Sequence, residues 1–219
     1  MATLQRLAAR NIRNLAPFSL LPHPGCNVLH GRNASGKTSL LETVHIAGQG
    51  RSFRGQLRHV IRREEQALRL HADVARTGQP PVGLVIEHSC GRTNLSGNGI
   101  GLQRTSELAH ILPVLLINTD SHNVIAGGPQ QRRRMLDWGV FHVEHRYGAV
   151  LGRYQNALRQ RNLCLQDGPR ATVPAHIWDA ELAAGAREIN ALRRDYIAVW
   201  LPDVRRYLER LLALTQIDL

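Results

Sequence analysis

Only one of the chain's 28 lysines and arginines is a lysine, Lys37. It sits in Gly31-Arg32-Asn33-Ala34-Ser35-Gly36-Lys37-Thr38, followed by Ser39, and the octapeptide matches G-x-x-x-x-G-K-[ST] at every fixed position. A compact ammonium on a flexible stem reaches between β- and γ-phosphates, where a planar guanidinium fits poorly inside a closed backbone loop. Two glycines let successive N–H groups turn inward on an anion, and the dipole of a following helix adds to the attraction. Thr38 is placed to offer its hydroxyl to Mg2+ and Lys37 to hold the β- and γ-phosphates. The implied chemistry is nucleotide binding. The competing reading, an ordinary glycine-rich turn, leaves the lone lysine unexplained.

Such a loop works between a strand and a helix. Residues 26–30, after Pro24-Gly25, predict a short strand. Residues 39–47 predict a helix with Leu40, Leu41, Val44 and Ala47 on one face, ended by Gly48 and Gly50. Residues 3–12 predict an opening strand and 18–21 its hairpin partner. Leu68, Leu70, Ala72 and Val74 alternate with Arg69, His71 and Asp73, and Val82, Leu84 and Ile86 repeat the spacing of two, the period of half-buried strands. Leu95 to Gly99 reads as a strand entering a tight turn, 105–110 as a short helix, and 114–117 as a buried strand. After Gly127-Gly128-Pro129 the pattern turns helical: 130–140, 144–165 and 178–214. Breaks at Gly168-Pro169 and Pro174 imply a helical hairpin, and Pro202 should end or kink its last helix. The expected organisation is a sheet-containing lobe over 1–128 and a helical lobe over 129–219.

A formal net charge of +11, with only 17 acidic residues, favours a polyanionic partner over self-paired surface charge. Arg51, Arg54, Arg58, Arg62 and Arg63 are the candidate DNA contacts. Arg132, Arg133 and Arg134 could join them, or pair instead with Asp137 or Glu144. The longest apolar run, near 111–117, is interrupted by Pro113 and far too short for a bilayer, so no membrane role is expected. Three cysteines without ligand spacing read as reduced thiols of a cytoplasmic protein.

Four stretches together resemble the N-terminal part of the RecF family, in the SMC-like branch of the ABC-type ATPases. They are Leu7-Ala8-Ala9-Arg10-Asn11-Ile12-Arg13-Asn14, the loop with its Ser39-Leu40-Leu41-Glu42 extension, and Gly50-Arg51-Ser52-Phe53-Arg54 with Val60-Ile61-Arg62. The fourth is Gly127-Gly128-Pro129-Gln130-Gln131-Arg132-Arg133-Arg134-Met135-Leu136-Asp137-Trp138. The resemblance implies an α/β fold, with an incomplete P-loop (ABC/SMC-like) nucleotide-binding lobe followed by an α-helical lobe. It implies ATP with Mg2+, an ATP-dependent homodimer at full length, and action on single-stranded and gapped double-stranded DNA in recombinational repair, replication restart and the SOS response. RecO and RecR are the implied partners. Carried over, Arg13 and Asn14 lie near the α-phosphate or the base. Asp120 falls where the family's Q-loop meets Mg2+, although Thr119 stands where the family has Pro.

Residues 130–219 contain no apolar run followed by Asp-Glu and no signature Ser-Gly loop. The sequence therefore reads as a fragment or truncated product that binds ATP without hydrolysing it. A small-molecule kinase shares the P-loop but not the flanking stretches. A DNA-binding remnant without a nucleotide role would leave the loop unused.

Overall fold

The alternation along the strands dictates one wet and one dry sheet face, and the computed structural model, which describes residues 2–167 and 173–212, is built that way. It divides into two compact units, Met1–Asn118 and Thr119–Leu219. The first holds an antiparallel sheet of order β2-β1-β3-β4-β5-β6: β1 (Ala2–Arg10), β2 (Phe18–Leu20), β3 (Ala67–Arg76), β4 (Gln79–Ser89), β5 (Arg92–Gly97) and β6 (Ile100–Gly101). Leu68, Leu70, Ala72 and Val74 of β3 are fully buried, as are Leu84 and Ile86 of β4. Each large one contributes about 1.5–3 kcal/mol. Asn98-Gly99, with φ of 50° and 79°, joins β5 to β6 through the left-handed backbone that short hairpins favour.

Helix α1 (Lys37–Gln49) and helix α2 (Thr105–Ile111) complete this unit, with Ile46, Ala47, Leu108 and Leu112 in one core with the sheet. The predicted stripe of α1 holds for Ala47, which is buried, and for Leu40 and Val44, which pack against the core, but the inward face is broader. Ser39, Glu42, Thr43, Ile46 and Ala47 are buried, while Leu41 is half exposed. Gly48 does not end the helix: a Cβ there would lie 2.5 Å from the Leu112 carbonyl oxygen, and Gly50, at φ 63°, is the cap.

Two expected strands are not formed. Residues 26–30 and 113–118 carry no strand pairing, and Val28, Leu115 and Ile117 are largely exposed. A short apolar run signals a preference for burial. It becomes a strand only when a neighbouring backbone takes its hydrogen bonds.

The second unit is helical: 3-10 turns at Thr119–His122 and Ala175–Trp178, with α3 (Asn123–Ala126), α4 (Pro129–Val143), α5 (Tyr147–Asp167) and α6 (Asp179–Leu212). Helices α5 and α6 run antiparallel, joined by Arg161–Asp179 (2.7 Å) near one end and Arg153–Glu188 (3.8 Å) further along. Val140, Tyr147, Val150, Ile189 and Leu192 form its core. Pro202 does not end α6, which continues to Leu212. The carbonyl it leaves unbonded, four residues back at Ala198, lies on an exposed stretch where water can take it. The expected break at 168–169 lies outside the described residues, as do the last two residues of the helix expected over 178–214. Among the described residues no helix is long and apolar enough to cross a membrane.

Candidate functional site: a cationic loop over a buried carboxylate

Positive φ at Gly31 (146°), Ala34 (63°) and Gly36 (98°) coils the loop tightly before α1. Gly36 caps the helix, and its φ of 98° is what demands glycine; a Cβ there would also push the Leu15 Cδ2 methyl aside. The Lys37 ammonium donates to the carbonyls of Gly31 and Arg32, each at 2.8 Å, which holds it over the loop it would serve. Thr38 is exposed at the start of α1 and Ser39 buried beneath it. A cleft of about 510 Å³ opens here, walled by Arg13, Asn14, Arg54 and the run from Asn33 to Ser39. A larger cleft of about 570 Å³ lies beside Arg6, Arg10, Arg69 and His71. There Arg69 and His71 are already answered by Glu87 (3.0 Å) and Asp73 (3.5 Å).

The turn after β1 braces the loop from one side. Asn14 Nδ2 donates to the Ala34 carbonyl at 3.0 Å, and Ser39 Oγ donates to Asn14 Oδ1 at 3.3 Å. Arg13 occupies the left-handed region at φ 45°, a strain of about 1–3 kcal/mol for a non-glycine residue. Its bonds outweigh that. Nε donates to Glu42 Oε2 at 2.6 Å and Nη2 to Oε1 at 2.8 Å, each charge-assisted contact contributing about 1.5–3 kcal/mol. Nη1 donates to the His59 carbonyl at 3.0 Å, and the Arg13 amide to Val60 O at 2.8 Å.

Glu42 is fully buried, so an unpaired charge there would cost several kcal/mol. Burial pushes its carboxyl pKa up, but hydrogen bonds from Arg13 and from Ser52 Oγ (2.5 Å to Oε1), with the Arg13 and Arg54 charges, prevail and hold it below the usual carboxylate range. The same Glu42 bond raises the pKa of Arg13. Arg54 Nη1 stands 3.9 Å from Glu42 Oε2, with its side chain 44% exposed. Behind it, His45 Nδ1 lies 2.8 Å from the Arg51 carbonyl, and the His45 ring meets Phe53 edge-on at 5.3 Å. A carbonyl only accepts, so Nδ1 carries the hydrogen. Burial lowers the His45 pKa and keeps the ring neutral.

All the loop candidates, with Arg13 and Asn14, therefore meet in one place. Arg13 spends its guanidinium on Glu42 and His59 and forms a wall of the cleft. Arg54 joins them, apart from the other basic candidates. Arg51, Arg58 and Arg63 are exposed and Arg62 is half-buried, its amide donating to Asn11 O at 2.9 Å. Asp120 lies in the 3-10 turn of the second unit, and its side chain is outside the described residues. Of the two readings for Arg132–134, pairing with Asp137 or Glu144 does not occur. Asp137 instead takes Arg193 and Tyr147, Glu144 takes Arg146, and Arg132 Nη1 donates to the Gly127 carbonyl at 2.9 Å. Asp137 is turned away from solvent while the three arginines point into it. Reading the sequence missed Glu42 and Ser52, which the structure joins to Arg13 beside the cleft. No local pattern marked either one, because the inward face that carries Ser39, Glu42 and Ile46 is set by the fold and differs from the apolar stripe in the sequence.

No protein-family model matches the chain. Curated relatives do. DNA replication and repair protein RecF of Pseudomonas entomophila (strain L48) is 41% identical over 220 residues, covering 99% of this chain and 60% of the relative. RecF of Pseudomonas putida (strain F1) is 40% identical with the same coverage. The chain thus spans about 60% of the length of the curated relatives it matches. Among solved structures, the recombination mediator protein RecF with ATP in the RecFOR pathway superposes with a TM-score of 0.85 at 21% identity, over 100% of this chain and 63% of that one. The corresponding ATPrS structure gives 0.84 at 24%, over 96% and 58%. At those identities the likeness establishes the α/β fold with its helical second part. The match in sequence runs along nearly the whole chain, which is therefore similar to the N-terminal part of RecF.

Proposed function

We propose that the chain binds ATP with Mg2+ through residues 31–39 and serves DNA repair and replication, with basic segment 51–63 meeting DNA phosphates. The observation that carries the nucleotide half is the Lys37 ammonium fixed over a coiled loop at the N-terminus of α1. Anions bind there because unpaired helix N–H groups and the macrodipole face them. The exposed Thr38 hydroxyl is a hard oxygen donor of the kind Mg2+ takes. Arg13 and Asn14 shape the cleft, and Arg54 supplies a second cation to it. The repair role is supported by relatives named DNA replication and repair protein RecF and by the net charge of +11. Its finer form is action at single-strand gaps and junctions, as an ATP-dependent dimer with RecO and RecR, in the cytoplasm and in the SOS response. Asp120 as a Mg2+ ligand belongs to the same reading. No hydrolytic step is proposed, because no residue described here is positioned as a base for water.

Titration with a fluorescent ATP analogue tests the nucleotide half. Lys37→Ala should weaken binding about 10- to 100-fold, since a hydrogen bond to a charged group contributes about 1.5–3 kcal/mol. Unchanged affinity would remove the site. Gapped-duplex binding should fall steeply with salt and be indifferent to sequence, as phosphate contacts are. Salt-insensitive binding would remove the DNA half.

A further inference from the structure

We propose that Glu42 is a positioning residue that carries occupancy of the phosphate loop to the basic segment 51–60, with Ser52 as the link. The inference rests on the nucleotide reading above and adds to it a route and a moving part.

The route is continuous and built of named contacts. Ala34 and Ser39 of the loop bond Asn14, and Leu15 lies against Gly36. The adjacent Arg13 grips Glu42 with two donors and holds the His59 and Val60 carbonyls with its third and its amide. Glu42 then takes the Ser52 hydroxyl, and the same Ser52 oxygen accepts the Arg54 amide at 2.8 Å. Segment 51–60 is thereby tied at both ends to the residues that brace the loop. Coupling needs an element with two arrangements as well as a chain of contacts. Arg54 is that element. It stands 3.9 Å from Glu42, too far for a hydrogen bond, and it walls the cleft. Arg13 and Ser52 already answer Glu42, so Arg54 can leave the carboxylate for a phosphate in the cleft without uncovering a buried charge. Its backbone amide, fixed to Ser52, makes the segment follow.

Hydrogen–deuterium exchange of the whole chain, with and without Mg2+ and a slowly hydrolysed ATP analogue, tests this. In the wild type, nucleotide should slow exchange at 31–39 and also at 51–58. Ser52→Ala should keep the first response and lose the second, and Ser52→Thr, which retains a hydroxyl, should restore it. A merely structural Ser52 would loosen 51–58 equally with and without nucleotide. Protection of 31–39 with 51–58 silent in the wild type overturns the relay and leaves nucleotide binding standing. A normal response of Ser52→Ala at 51–58 also overturns it. Silence at 31–39 removes the nucleotide reading, and the relay with it.

Discussion

Glu42 and Asp137 each receive an arginine, yet they sit in different company. Glu42 uses both oxygens: Arg13 docks fork to fork, Ser52 takes Oε1, and Arg54 waits near Oε2. Asp137 gathers everything on one oxygen, with Arg193 Nη2 at 2.6 Å and Nε at 2.8 Å, and the Tyr147 hydroxyl at 2.5 Å. The first lies under a cleft walled by a lysine ammonium and exposed guanidinium. The second ties α4, α5 and α6 together around a buried tyrosine. A buried ion pair by itself therefore says little about function. What distinguishes the Glu42 cluster is that one of its cations is left with somewhere else to go.

The largest expected effect comes from removing either carboxylate. Glu42→Ala strands Arg13 and should cost about 3 kcal/mol, the low end for a broken buried pair, because Arg13 keeps one edge in water. Asp137→Ala strands Arg193 in similar surroundings and should cost about as much. Two probes separate them. Trp138, Trp178 and Trp200 all belong to the second unit, so their fluorescence follows Asp137→Ala. Glu42→Ala should register in amide exchange of 51–60. It should also weaken ATP binding, which Asp137→Ala should leave alone. Equal losses of ATP affinity in the two variants would erase the distinction.

How much of this was legible beforehand divides along the same line. Spacing within eight residues encodes the loop, and alternation encodes β3 and β4, because both are local patterns. The fork between Arg13 and Glu42 joins residues 29 apart in sequence. On a single sequence Glu42 looks like any helical surface acid. By charge alone Arg54 is one of several basic residues in 51–63, and only the fold turns it into the cleft. The strands expected at 26–30 and 114–117 failed for the complementary reason. Val28, Leu115 and Ile117 announce a wish for burial, and nothing local says which backbone would pair with them. Glycine placement was readable at Gly36 and misread at Gly48, where the requirement is close approach to Leu112 and Val114 rather than helix termination.

A smaller effect sharpens the structural side of the comparison. Tyr147 is fully buried, and burial, then the Asp137 hydrogen bond and charge, push its hydroxyl up to about 12. Its folded value is raised, so the stability it contributes is fully present below its unfolded value of about 10 and is lost as pH rises toward 12. Tyr147→Phe should cost about 1.5 kcal/mol at neutral pH, for one hydrogen bond to a charged partner. In urea melts followed by tryptophan fluorescence, it should flatten the alkaline decline. A decline that persists unchanged would mean that the buried hydroxyl does not set it.

The smallest effect belongs to Glu42 in acid. Its carboxyl is held down by Arg13 and Ser52 against the opposing push of burial, so the net displacement is what remains after two large influences oppose each other. Its folded value is depressed. The stability is therefore present above the ordinary carboxylate value of about 4.3 and lost as pH falls through the folded one. His45 acts in a separate window. Burial lowers its value too, so its contribution is present above about 6.5 and declines below that. Amide exchange of 51–60 measured downward from neutral pH should thus loosen in two stages. Glu42→Gln should remove the lower stage and leave the upper. A lower stage that survives in Glu42→Gln would assign it to some other carboxylate. The fork on Arg13 would then be a packing contact like the one at Asp137, rather than the charge on which segment 51–60 depends.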